Sequence, residues 1–166
     1  MNIVLIGYRG TGKSRVAKIL AERLRWPLIS TDAEIIKQTG LSVPEIIHQH
    51  GWDYFRDVES TICRDAGAMN KTIIDTGGGA ILRQENVDAL RQHGRLFWLT
   101  AEVATIVERI KHSKNRPSLT QHTDAVAEVD EVLTARLPLY KAACDQIIPT
   151  DHRTLKDIAD EIHGML

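Results

Sequence analysis

Gly7-Tyr8-Arg9-Gly10-Thr11-Gly12-Lys13-Ser14 matches the pattern G-x-x-x-x-G-K-[ST] at every fixed position. Ahead of it runs the apolar Ile3-Val4-Leu5-Ile6, which reads as a buried strand. Behind it, Val16, Ile19, Leu20 and Leu24 recur at the spacing of one helix face and predict a helix from about Lys13 to Arg25. A glycine loop between a strand and a helix offers backbone N–H groups and the positive end of the helix to phosphates. Gly10, Thr11, Gly12, Lys13, Ser14 and Arg15 are therefore expected to bind a nucleotide such as ATP. Lys13 is placed to reach the β- and γ-phosphates, and the Ser14 hydroxyl to ligate Mg²⁺.

Working outward, strands alternate with helices. Pro27-Leu28-Ile29-Ser30 is a short second strand, after which Thr31 or Asp32 caps a helix that Gly40 stops. Ser42 and Glu45 have the capping-box spacing, and Gly51 breaks the helix they open. A longer helix follows from about Trp52 to Met69. Thr72-Ile73-Ile74-Asp75 is a buried strand running into Thr76-Gly77-Gly78-Gly79-Ala80. Helices are expected at Glu85 to Gln92, Ala101 to Lys111, Ala125 to Ala143 (with a bend at Pro138) and Thr154 to Met165. Gly94 to Leu99 and Gln146-Ile147-Ile148 complete five strands. This alternation predicts an α/β fold: a doubly wound parallel sheet covered by helices on both faces. Ligands in such sheets sit beyond the carboxyl ends of the strands.

The 166 residues suggest one domain, 1–166, with no linker and no repeat. A 43% hydrophobic, 26% charged composition reads as globular. Lys plus Arg (21) nearly balance Asp plus Glu (22), which argues against a nucleic-acid binder. No apolar run approaches a membrane span, and the N-terminus lacks a signal-peptide pattern. Cys63 and Cys144 have no CxxC spacing and read as buried thiols in a reducing compartment. A cytoplasmic monomer is expected. The scattered histidines form no zinc spacing and read as surface residues.

Several residues after the strands can carry chemistry. Asp32 is either a helix cap or a carboxylate aimed at a substrate hydroxyl. Arg56 is either a solvated helix residue or one partnered by Asp53, Asp57 or Glu59. Three successive glycines, Gly77, Gly78 and Gly79, favour a ligand approaching the backbone. The cationic stretch from Arg109 to Leu119 is either a surface loop or a lid carrying Arg116 onto phosphates. Arg136 sits on an apolar helix face and needs a carboxylate or a bound anion. Asp75 ends an apolar strand beside the glycine loop, as a residue that orients Mg²⁺ or its water does; a turn-stabilising aspartate is the alternative.

Together these stretches resemble the shikimate kinase family over nearly the whole chain. The carrying residues are Gly7 to Ser14, Thr31-Asp32 with Glu34-Ile35-Ile36, Gly51 with Phe55-Arg56 and Glu59, Gly77-Gly78-Gly79-Ala80, Arg116-Pro117, and Arg136-Leu137-Pro138-Leu139-Tyr140. The resemblance implies a three-layer α/β/α P-loop fold of the nucleoside-monophosphate-kinase type. It implies a substrate-binding region at about 31–62 and a lid at about 111–124. The implied reaction moves the γ-phosphoryl of ATP to the 3-hydroxyl of shikimate with Mg²⁺. By the family pattern Asp32 binds substrate hydroxyls and is the candidate base. Arg56 and Arg136 hold the carboxylate, Gly77, Gly78 and Gly79 line the same pocket, and Arg116 meets the transferring phosphate. Arg109 and Arg153 match the adenine-flanking arginines. One departure stands out. The family has Asp-x-Asp after the second strand, whereas this chain has Ser30-Thr31-Asp32. Asp75, where the family often has serine, is expected to supply the missing charge near the metal. A gluconate-type kinase and a nucleotide-binding module without turnover are the alternatives.

Overall fold

The computed structural model describes residues 1–111, 118–120 and 124–166. In chain order it runs β1 (Asn2–Ile6), α1 (Lys13–Leu24), β2 (Leu28–Ser30), α2 (Thr31–Thr39), α3 (Val43–Gly67), β3 (Ile73–Asp75), a 3₁₀ turn (Ala80–Leu82), α4 (Gln84–His93), β4 (Gly94–Thr100), α5 (Val103–Ile110), α6 (Ala125–Ala143), β5 (Gln146–Pro149) and α7 (Leu155–Gly164). The strands form one sheet in the order β2-β3-β1-β4-β5, and every pairing is parallel. The expected three-layer fold is present.

Alternation along β1 divides the core. Val4 and Ile6 face one side, with Ile74, Leu96 and Trp98, and pack on Cys63 and Ala66 of α3, Leu90 of α4 and Tyr140 of α6. Ile3 and Leu5 face the other side, with Ile73, Phe97 and Ile148, and pack on Leu20 of α1 and Ile158 of α7. Both faces are covered, so the strands are continuous apolar runs. Burying each such side chain contributes about 1.5–3 kcal/mol relative to exposure. A separate cluster of Ile35, Val43, Ile46, Phe55 and Ile62 fastens α2 to α3 outside the sheet layers.

The chain winds to β2 and β3 on one side of β1 and to β4 and β5 on the other. The loop after β1 therefore lies at the switch point, where a crevice opens. Among the described residues, no helix is long and apolar enough to cross a membrane.

Several local expectations need correction. The cap of α2 is Ser30, whose Oγ accepts from Ala33 N at 3.4 Å, and not Thr31 or Asp32. The hydroxyl one residue earlier already sits at the turn between β2 and α2, which places Asp32 inside the first helical turn. The expected break at Gly51, by contrast, is present: its backbone is non-helical (φ 83°, ψ 173°), and α3 is two helical stretches joined at that kink. The 3₁₀ turn after the glycines has no periodic signal in the sequence. Cys63 is buried, but Cys144 is only partly so. Residues 112–117, with the expected lid cation Arg116, and 121–123 lie outside the described residues.

Candidate active site

The loop between β1 and α1 is held by its own side chains. Thr11 Oγ1 donates to Tyr8 O at 2.8 Å, and Lys13 Nζ donates to Gly7 O at 2.7 Å and Tyr8 O at 3.0 Å. Lys13 is only 7% exposed, so its ammonium is held at the loop and not in bulk water. Gly12 opens α1 with φ 94°, a left-handed backbone that glycine adopts at little cost. Gly10, Gly12, Lys13, Ser14, Arg15 and Arg109 line one cavity above this loop, together with Ser30, Asp75 and Thr76.

At the floor of that cavity the Ser14 hydroxyl donates to Asp75 Oδ2 at 2.6 Å. Asp75 and Ser30 are register partners on adjacent strands, and both line the cavity. Two hard oxygen donors beside a phosphate loop fit Mg²⁺, which binds few protein groups and retains water and phosphate oxygens. Ser30 on β2 holds the position of the first aspartate in the Asp-x-Asp pattern, and the carboxylate beside it is Asp75 on β3. Ser30 has a structural task of its own as the cap of α2.

A second cavity meets the first at Arg15, which lines both. Gly10, Thr11, Gly12, Arg109, Thr150 and Arg153 line it. Arg109 Nη1 donates to Gly10 O at 3.0 Å and to Thr150 Oγ1 at 3.3 Å. Arg153 Nη1 donates to Pro149 O at 3.0 Å, while Nη2 pairs with Glu161 at 2.5 Å. The two arginines, far apart in sequence, thus flank one cavity.

The third cavity brings together Asp32, Arg56, Glu59, Gly77, Gly78, Gly79 and Arg136, with Trp52, Phe55 and Leu119 as apolar walls. Of the three carboxylates near Arg56 in sequence, Glu59 is the partner: Arg56 Nη1 lies 2.6 Å from Glu59 Oε2. Glu59 is 0% exposed. Asp57 pairs with Arg83 at 2.7 Å instead, and Asp53 points to solvent. Phe55 and Trp52 flank the Arg56 guanidinium at 5.2 and 5.3 Å. The solvated-helix reading of Arg56 is therefore overturned.

Arg136 is 8% exposed and lies over the Tyr8 ring at 5.9 Å. Among the described residues no carboxylate pairs with it. The Tyr140 phenol is a hydrogen-bond partner of its guanidinium, which also lines this cavity. The glycines make room for these charges. A Cβ on Gly79 would fall within the Arg56 guanidinium, and one on Gly77 would sit 2.9 Å from both Asp32 Oδ1 and Glu59 Oε1. Gly77 N donates to Thr31 Oγ1 at 2.9 Å, and Tyr140 Oη donates to Gly78 O at 2.5 Å. Burial pushes the Tyr140 phenol up to about 12, against the pull of Arg136, so it remains a donor.

Glu59 carried a sequence signal, its i,i+3 spacing from Arg56. Thr31, Tyr140 and Arg9 lie within the stretches that carry the family resemblance, but the sequence reading gave none of them a role in the site. Among the described residues, Arg9 and Asp32 are the two that line both the phosphate cavity and the cavity of Arg56 and Arg136.

Comparison with known proteins agrees with this geometry. The family model described as shikimate kinase matches residues 9–166. The shikimate kinase of Caldicellulosiruptor bescii is 38% identical over 161 residues, covering 97% of this chain and 92% of that one. Among solved structures, the Acinetobacter baumannii shikimate kinase in complex with shikimate superposes with a TM-score of 0.94 at 32% identity, covering 99% of this chain and 91% of that one. A Sinorhizobium meliloti gluconokinase superposes with a TM-score of 0.55 at 17% identity, covering 96% and 87%, a likeness of fold alone.

Proposed function

The chain belongs to the shikimate kinase family, and from that premise we propose how its own residues divide the work of an ATP-dependent kinase acting on shikimate. The observation that carries the assignment is the meeting of Arg56 and Arg136 in one cavity beside the phosphate loop. Two guanidiniums that far apart in sequence, walled by glycines and a buried Glu59, suit a small acid bearing one carboxylate and several hydroxyls. Each charge-assisted hydrogen bond to that carboxylate contributes about 1.5–3 kcal/mol.

In this reading the loop amides and Lys13 bind the ATP phosphates, and Arg15, Arg109 and Arg153 border the rest of the nucleotide. Ser14 and Asp75 would hold Mg²⁺ and its water. When bound, the ion neutralises phosphate charge and orients the γ-phosphoryl group. Asp32 lies on the acceptor side of the phosphates and takes the proton of the 3-hydroxyl as that oxygen attacks. Catalysis is then mainly positioning and electrostatic stabilisation. Arg116 is assigned by the family pattern alone as the lid cation on the transferring phosphate. The chain acts as one domain, 1–166, with an acceptor region at about 31–62.

The test is ADP release from MgATP with shikimate, with quinate and gluconate as controls. Release that depends on shikimate and fails in Arg136→Ala supports the assignment. Release with gluconate and not shikimate overturns the acceptor, and no release with any acid overturns catalysis.

A further inference from the structure

We propose that Arg9 is a further catalytic cation, placed to contact the phosphoryl group as it passes from nucleotide to acceptor. The inference rests on the acceptor assignment above and extends it to a position that the loop pattern leaves open. The transferred group must cross from the phosphate cavity to the cavity of Arg56 and Arg136. Among the described residues Arg9 and Asp32 alone border both. Asp32 handles the proton of the incoming hydroxyl, and Arg9 is the cation at the same boundary. The Arg9 backbone runs beside the glycine turn: a Cβ on Gly78 would lie 3.4 Å from Arg9 N.

The side chain is held. Arg9 Nη2 lies 3.8 Å from Glu128 Oε1, and its guanidinium lies 5.9 Å from the Tyr8 ring centroid. Glu128 is itself nearly buried on α6. The same oxygen accepts from Leu119 N and, at 3.2 Å, from Thr120 N and Ser118 Oγ. Leu119 lines the acceptor cavity. One carboxylate therefore ties Arg9 to the chain at 118–120 and to α6. Charge in the transition state spreads over the three equatorial phosphoryl oxygens. A planar guanidinium held in place before reaction stabilises that charge without reorganising.

The experiment compares the unaltered protein with Arg9→Met and Arg9→Lys. It reads kcat, both KM values, ADP affinity, and the affinity of shikimate with Mg²⁺, ADP and aluminium fluoride as a mimic of the group in flight. Arg9→Met is expected to lower kcat about 100-fold. Both KM values should stay within about three-fold, and shikimate affinity in the mimic complex should fall in proportion to kcat while ADP alone binds as before. Arg9→Lys should recover part of the loss. A kcat within about three-fold of the unaltered protein overturns the proposal. So does a raised shikimate KM at unchanged kcat, which makes Arg9 a ground-state binder. Loss of ADP binding together with a lowered melting temperature also overturns it, in favour of a structural role. If Arg9→Met does not fold, Arg9→Lys decides: it keeps the charge and loses the fork, and an unchanged kcat sinks the idea. Failure of the acceptor assignment looks different, because the unaltered protein would then release no ADP in response to shikimate.

Discussion

The Ser14 hydroxyl donates to Asp75 Oδ2 at 2.6 Å, joining the first turn of α1 to the last residue of β3. Asp75 is 6% exposed, so its charge is focused on the phosphate cavity. Asp75→Asn keeps a hydrogen-bond acceptor for Ser14 and removes the charge. Apparent Mg²⁺ affinity is expected to fall about 10–100-fold, with turnover falling at fixed Mg²⁺. A titration of rate against Mg²⁺ concentration checks it. Superimposable titrations would mean that Asp75 does not stand in for the carboxylate missing at Ser30.

In the proposed reading Arg136 meets the acceptor through its guanidinium, which lines the cavity of Arg56. Arg136→Ala should raise the shikimate KM by about 10–100-fold, the equivalent of one charge-assisted hydrogen bond. The KM for ATP should stay unchanged, because Arg136 borders the acceptor cavity and not those of the nucleotide. Steady-state kinetics with each substrate varied in turn separate the two.

Glu59 is fully buried and holds Arg56 from one turn away. Glu59→Ala leaves that guanidinium without its carboxylate in a desolvated wall. A loss of about 3 kcal/mol of folding stability is expected, as for other broken buried pairs, together with weaker shikimate binding. Urea unfolding and shikimate titration measure the two effects. Full stability with normal binding would show that Arg56 is positioned by its aromatic neighbours instead.

At Gly79 the demand is for space. Gly79→Ala puts a methyl group where the Arg56 guanidinium lies. Because Glu59 and two aromatic rings confine Arg56, the side chain has to leave the acceptor cavity. Shikimate affinity is expected to fall about 10-fold or more, the worth of one charged hydrogen bond. ATP binding should remain as it was, and calorimetry with each ligand would reveal the contrast.

Tyr140 links the acceptor pocket to alkaline stability. Its phenol is raised by burial from 10.0 to about 12. Between pH 10 and 12 the unfolded chain has lost this proton while the folded chain keeps it. Stability therefore falls as pH rises through that window, by about 1.4 kcal/mol per unit for this group, and is fully present below pH 10. Cys63, also raised by burial, erodes stability from its ordinary value of 9.0 upward. Tyr140→Phe leaves Gly78 O without its donor and should cost about 1–3 kcal/mol at pH 7. The gap to the unaltered protein should narrow above pH 10. Denaturant unfolding at pH 8 and pH 11 checks this, and a gap of constant size would show that the phenol is not kept neutral by the fold.

Much of the site was legible because it is local in sequence. The phosphate loop, the triple glycine after β3 and the Asp32 position each follow a strand whose apolar run marks its end. The capping box of Ser42 and Glu45 is present, with Glu45 N donating to Ser42 Oγ at 3.3 Å and Ser42 N donating to Glu45 Oε2 at 2.7 Å. What was misread depended on partners chosen in space. Asp53, Asp57 and Glu59 are equivalent as neighbours of Arg56 until the kink at Gly51 sets which face of α3 meets the glycines. Ser30 read as a metal-side departure, yet it is also the helix cap, because one hydroxyl suffices where β2 turns directly into α2.

The sequence by itself determined the strand–loop–helix that holds phosphates, the winding of the sheet and, through the motifs it shares with a known family, the class of reaction. These depend on periodicity and on short spacings, which survive any choice of tertiary neighbours. The resemblance already implied one carboxylate for Arg56 and Arg136 and a metal-side place for Asp75; only the tertiary structure showed the two arginines in one cavity, the Ser14–Asp75 hydrogen bond, and Arg9 at the border of both cavities. Those relations join residues tens of positions apart, and they exist because β1 lies between β3 and β4, where the sheet reverses its winding and its crevice opens.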